Sequence, residues 1–135
     1  MIRLVLDTST LISALGWKKG NPRKIFEDCL SGKYQLIESI DLINEFLKVF
    51  NRDKFSFISK EDKQEFIVRL FEICNLVEPK TKLNIIEDDP EDNIVLECAL
   101  EGNANYIISS DPHVLKLKEF KGIKIVNPKE FLDLF

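Results

Sequence analysis

Short apolar runs alternate along this chain with longer stretches of helical period, and that alternation leaves few folds open. Ile2-Arg3-Leu4-Val5-Leu6 reads as a buried strand, and Asp7-Thr8-Ser9-Thr10 then caps a short helix running through Leu15. Asn21-Pro22 opens a second helix toward Leu30, which Ser31-Gly32 closes. Residues 34–37 read as a short strand, and Ser39 caps a third helix through Phe50. Ser59 and Asp62 have the spacing of a capping box for a fourth helix to Cys74, and residues 75–77 follow as a short strand. Asp89-Pro90 opens a helix to Glu101, and Gly102 closes it. Residues 105–108 and 123–126 are strands; Asp111-Pro112 and Asn127-Pro128 each open a helix after one of them. Strands separated by helices predict a parallel sheet with helices on both faces. Sites in such sheets form beyond the carboxyl ends of the strands, where the strand order reverses.

The chain has 135 residues and carries no repeat, low-complexity tract or Gly/Ser linker, so residues 1–135 are expected to form one domain. Lys and Arg total 19 against 23 Asp and Glu, for a net charge of 19 − 23 = −4. An acidic chain does not hold nucleic acid or anionic membrane by bulk charge, so such a partner must be met by a local basic patch. No apolar run approaches the ~18 residues of a membrane helix. The apolar start reaches a charge at Asp7 too early for a signal peptide, which points to the cytoplasm. Cys29, Cys74 and Cys98 are widely spaced and form no CxxC pair, so they read as reduced thiols packed as small hydrophobes and not as a zinc site. The single histidine, His113, has the look of a helix first turn, which argues against Ser-His-Asp or Cys-His chemistry.

The carboxylates carry the chemical signal. Asp7 directly follows the first strand, and Asp111 follows the 105–108 strand after two serines, so both sit at carboxyl strand ends. Each is also a good helix N-cap, worth ~1 kcal/mol. On a wheel of ~100° per residue, Asp92 falls between Ala99 and Leu96, inside the apolar arc of its helix, while Asn93, Glu97 and Glu101 fall outside it. Glu45 lies at the edge of the apolar arc of the third helix. Four carboxylates in one pocket repel, and a hard divalent cation removes the conflict. Oxygen-only ligands point to Mg²⁺ or Mn²⁺ and to phosphoryl chemistry.

Val5-Leu6-Asp7-Thr8-Ser9-Thr10-Leu11-Ile12-Ser13-Ala14-Leu15 resembles the opening motif of PIN-domain nucleases. Leu42-Ile43-Asn44-Glu45-Phe46-Leu47 resembles their glutamate-bearing helix, and Asp89-Pro90-Glu91-Asp92-Asn93 their third acidic motif. The stretch from Asn103 to Ile108 with Ser109-Ser110-Asp111 resembles the fourth, and Ile125-Val126-Asn127-Pro128-Lys129-Glu130-Phe131-Leu132 the last strand and helix. The motifs occur in order over nearly the whole chain, most like the prokaryotic PIN proteins that act as VapC-type toxins of toxin–antitoxin systems. The resemblance implies a three-layer α/β/α fold around a parallel sheet of four or five strands, with the first strand central and beside the 105–108 strand. It implies a Mg²⁺- or Mn²⁺-dependent ribonuclease in which Asp7, Glu45, Asp92 and Asp111 form the acidic quartet and bind metal. Asp7 and Asp111 would bind it most directly. Ser109 matches the Ser/Thr two residues before the fourth acid. The family usually has Asn after Asp-Thr; here Ser9 stands there, shorter but still able to donate a hydrogen bond. Asp89 is read as the cap before Pro90 and Asp88 as solvated. The implied partners are an RNA substrate, an antitoxin from a neighbouring gene and a second copy of the chain, with 55–58 as a candidate contact surface.

Lys18, Lys19 and Arg52 are the candidate nucleic-acid contacts, in a wider set with Arg23, Lys24, Lys54, Lys116 and Lys118. Trp17 and Phe57 are placed to stack on bases, although packing is the commoner fate of such aromatics. Three other readings compete with this one. A receiver-like signalling module needs an acid pair that does not precede Asp7 and a Lys after a late strand, whereas Lys124 lies inside one. A catalytically silent PIN-like interaction domain would present its phenylalanines to a protein partner. A phosphatase of the haloacid-dehalogenase type needs a second acid two residues after Asp7, where Ser9 stands.

Overall fold

The computed structural model describes residues 1–87 and 90–135. In chain order the elements are β1 (Arg3–Leu6), α1 (Thr8–Gly16), α2 (Asn21–Leu30), β2 (Gln35–Ser39), α3 (Ile40–Phe50), α4 (Lys60–Ile73), β3 (Asn75–Val77), α5 (Asn93–Glu101), β4 (Tyr106–Ile108), α6 (Pro112–Leu115), β5 (Glu119–Phe120), β6 (Ile123–Val126) and α7 (Pro128–Leu134). Short 3₁₀ turns at Asp53–Phe55 and Pro90–Asp92 precede α4 and α5. The caps follow the sequence signals. Asp7, Ser39, Ser59, Asp111 and Asn127 each accept a backbone N–H of the helix they open.

The sheet order is β3-β2-β1-β4-β6-β5. All pairs are parallel except β5 with β6. β1 is central and pairs with β4 in the register Val5↔Ile107, as expected from the motif order. The sheet has six strands and not four or five. The extra one is the two-residue β5, an antiparallel edge folded back by the turn at Lys121 and Gly122, both with positive φ (49° and 83°). That geometry is the two-residue hairpin turn whose twist matches the strands.

Residues alternate between the two sheet faces. Leu4, Leu6 and Leu36 pack under α1, α2, α4 and α7, with Phe26, Phe46, Phe66, Leu70 and Phe131 in the same cluster. Val5, Ile37, Ile107 and Ile125 pack under α5 and α6, with Val95, Leu96, Ala99 and Val114. Three layers result, α/β/α. Among the described residues no helix is long and apolar enough to cross a membrane.

The polar side of α5 departs from expectation. Asn93 and Glu97 are buried, although the wheel placed them outside the apolar arc. Asn93 Oδ1 accepts the N–H groups of Ile85 and Ile86 at 2.9 Å each, and its Nδ2 donates to the Ile86 carbonyl. Glu97 accepts the Leu83 N–H at 2.8 Å and Glu101 the Lys80 N–H at 3.0 Å. These side chains stand in for the strand ladder that the irregular run 79–87 lacks. Helix α5 also begins later than expected, at Asn93, with Asp92 in the cap position. Asp88 and Asp89, read as a solvated acid and a cap, lie outside the described residues.

Candidate active site

The strand order reverses between β1 and β4, since the chain runs outward through β2 and β3 before returning to the other side of β1. Asp7 and Asp111 follow the carboxyl ends of those two strands, at the crevice this reversal opens. A cleft of about 370 Å³ lies there. Asp7, Glu45, Asp92 and Asp111 all line it, with Thr8, Ser9, Ser13, Trp17, Lys54, Phe55 and Glu91 and an aliphatic floor that includes Ile12, Val95 and Val114. Asp7 comes from the β1–α1 junction, Glu45 from the middle of α3, Asp92 from the turn before α5 and Asp111 from the cap of α6.

Asp7 is 6% exposed and held by four donors. Its Oδ1 accepts from Ser9 Oγ at 2.9 Å, Thr10 Oγ1 at 2.8 Å and the Thr10 N–H at 3.0 Å. Its Oδ2 accepts from Ser109 Oγ. A carboxylate offers about four lone-pair sites, two per oxygen. Three donors crowd Oδ1, so Oδ2 is the oxygen with acceptor capacity to spare. Burial pushes the Asp7 carboxyl above its ordinary value, while these hydrogen bonds, Ser109 first, hold it back. Ser9 does more than serve Asp7: its Oγ also accepts the Ser110 N–H at 3.4 Å, tying the two strand-end loops together. Ser109 likewise accepts the Asp111 N–H at 3.0 Å. Thr8 Oγ1 is buried with no hydrogen-bond partner among the described residues, and Thr8 lines the cleft.

Asp92, Asp111 and His113 each offer a ligand atom within 4.8 Å of one another, close to the spacing of donors around one divalent cation. Asp7 and Glu45 line the same cleft outside that trio, so the tightest grouping pairs Asp111 with Asp92 and not with Asp7. His113 is the donor that sequence reading set aside. It was weighed there only as a nucleophile's base, and its position two residues after Asp111 was the available signal.

Glu38 was also missed. It is fully buried on β2, and neither carboxyl oxygen has a hydrogen-bond partner of good geometry among the described residues. Burial drives its carboxyl well up; the Leu6 backbone amide offsets this in part, and the Asp7 carboxylate adds to it. The three cysteines are free, and burial pushes Cys29 up to about 12 and Cys74 up to about 11. Such thiols stay protonated and inert.

The candidate basic residues lie mostly outside the cleft lining. Lys18, Lys19 and Arg52 are exposed and do not line the cleft; Lys18 pairs with Asp62 at 3.3 Å over a neighbouring groove. Arg23 closes the end of α1, with Nε donating to the Ala14 carbonyl at 2.6 Å, and Lys24 pairs with Asp28 at 3.0 Å. Lys54 is the lysine that reaches the cleft. In the 55–58 surface candidate, Ile58 is core, 7% exposed, while Phe57 stands in solvent.

The PIN domain family model matches residues 3–113. An uncharacterized protein of Methanocaldococcus jannaschii is 29% identical over 144 residues, covering 99% of this chain and 92% of that one. A chain in the crystal structure of VapBC2 from Rickettsia felis bound to a DNA fragment from their promoter superposes with a TM-score of 0.63 at 14% identity, covering 93% of this chain and 98% of that one. The match over residues 3–113 takes in β1 through the start of α6, and with them every acid of the cleft: the chain belongs to the PIN-domain family.

Proposed function

We propose that this chain is a metal-dependent endoribonuclease of the cytoplasm, hydrolysing RNA phosphodiesters, and the toxin of a toxin–antitoxin pair. The observation that carries the reading is the single cleft at the strand-order reversal, lined by Asp7, Glu45, Asp92 and Asp111. Membership of a family whose domains are generally nucleases supports the chemistry. The likeness to a VapBC2 chain supports a protein antitoxin and a dimer as partners.

The donor set fits a divalent cation. Asp92, Asp111 and His113 would hold it, with Asp7 Oδ2 as a further oxygen. Mg²⁺ or Mn²⁺, when bound, polarises a phosphate oxygen and supplies hydroxide near neutral pH. The chain's own residues do the positioning. Ser109, Thr10 and Ser9 fix the Asp7 carboxylate in one orientation and favour its charged form. Glu45 lines the same cleft from α3, where it would help to hold a second ion or orient the attacking water.

The test is cleavage of single-stranded RNA by the purified chain, with a matched DNA strand in parallel. Cleavage is expected with Mn²⁺ or Mg²⁺ and none in chelator. Asp7→Asn should abolish it and also abolish most of the metal-dependent rise in melting temperature, which corresponds to ~2.7 kcal/mol at a hundredfold excess of metal over its dissociation constant. A catalytically silent interaction domain would cleave nothing under any of these conditions. Growth arrest on expression, relieved by the product of the adjoining gene, tests the toxin assignment.

A further inference from the structure

We propose that Trp17, which lines the acidic cleft, and Phe57, packed against it, form a stacking subsite for an unpaired nucleobase of a single RNA strand, with Lys54 taking a neighbouring phosphate. The inference rests on the ribonuclease reading of the same cleft.

Trp17 is 53% exposed and Phe57 62% exposed, the largest rings left to solvent among the described residues. They touch each other edge to face, with ring centroids 5.8 Å apart and planes at 66°. An edge contact fixes both rings while leaving ring faces open. The pair is built into the fold and does not hang from a loose loop. The Trp17 backbone amide closes α1 on the Ser13 carbonyl at 3.0 Å. Ile58, next to Phe57, is anchored in the core. Gly16 lies beside the pair, its Cβ direction facing Ile58 Cδ1 and Phe57 Cζ at ordinary contact distance.

Continuity with the acids decides the kind of occupant. Trp17, Phe55 and Lys54 line the same cleft as the four carboxylates. Lys54 Nζ sits 5.2 Å over the Phe55 ring, which holds a cation at the mouth of an otherwise acidic site. Open π faces beside a fixed cation suit a polymer that alternates flat bases with anionic phosphates. The bases of a duplex hide their faces in their own stack, so the subsite selects unpaired strands.

Trp17 is the single tryptophan of the chain, so intrinsic emission reports this residue alone. Full-length Asp7→Asn protein, which would bind without cutting, is titrated with a short unstructured RNA, the same RNA in a duplex, and inorganic polyphosphate. Quenching by the single strand alone is expected, with Phe57→Ala weakening binding about 5- to 100-fold and Trp17→Phe retaining it by anisotropy of a labelled strand. No quenching, or equal quenching by polyphosphate, overturns the subsite. Emission that changes with protein concentration alone, together with a dimer that Phe57→Ala dissociates in light scattering, overturns it in favour of a contact between copies. Quenching without metal-dependent cleavage by the parent chain supports the subsite and sinks the nuclease reading. Cleavage with an unchanged KM in Trp17→Ala does the reverse.

Discussion

His113 lies two residues after Asp111 and donates its backbone N–H to the Asp111 carboxylate at 2.9 Å, so the backbone that caps α6 also brings an imidazole to the acids. A nitrogen donor changes which ion the site prefers. Mg²⁺ favours oxygen and a rigid octahedron, whereas Mn²⁺ accepts imidazole readily. His113→Ala is therefore expected to lower Mn²⁺ affinity several-fold and Mg²⁺ affinity less, as read by titration calorimetry. Equal loss for both ions, or none, removes His113 from the ligand set. At this scale the strand-end acids were legible because Asp before Thr or Pro is a visible cap, and the structure shows that capping leaves acceptor capacity over. Glu38 was not legible because the strand looked finished at Ile37. It runs on to Ser39, and the strand alternation turns Glu38 onto the same face as Leu36.

Among the elements, α5 owes its place as much to its polar side as to its apolar one. The Asn93 carboxamide satisfies two amides and a carbonyl of the run before it, and Asn93 is the chain neighbour of Asp92. Asn93→Ala would take their partner from the buried Ile86 amide and carbonyl, at a cost of about 1–3 kcal/mol for an orphaned group. Urea denaturation should show that loss, and metal affinity should fall with it because Asp92 adjoins the freed segment. A variant that loses stability but keeps full metal affinity would separate the tether from the site. Helix openings were readable from Asn-Pro and Asp-Pro, whose chemistry is local. The end of α5 was readable too: the helix stops at Glu101 and Gly102 is its C-cap. The left-handed residue is the next one, Asn103, at φ 51°. Gly102 is required by packing instead, since a Cβ there would meet Ile37 Cγ2 at 2.5 Å. Contact with a distant strand leaves no mark in the neighbouring sequence, and neither does β5, whose Lys-Gly turn lacks the usual Asn-Gly signature.

For the molecule as a whole, two buried acids beside one another make stability depend on pH and metal together. Asp7 and Glu38 have ordinary values of 3.8 and 4.5, and burial raises both in the fold. Below those ordinary values both are protonated in the folded and the unfolded chain alike, so they cost nothing. As pH rises through the window between the ordinary and the raised values, the unfolded chain releases protons that the folded chain keeps, and stability falls; above the raised values the penalty is constant. In chelator, the melting temperature should therefore decline as pH rises from the ordinary carboxylate values through the raised ones. Glu38→Gln keeps the shape and removes the charge, so it should flatten that decline and raise the melting temperature above the window. With saturating Mn²⁺ the trend from Asp7 reverses, because binding requires the ionised carboxylate and so strengthens as protons leave. Melting curves across pH, with chelator and with Mn²⁺, for the parent chain and Glu38→Gln, read both effects. A parent slope in chelator that survives Glu38→Gln unchanged would show that this glutamate is not a source of the coupling.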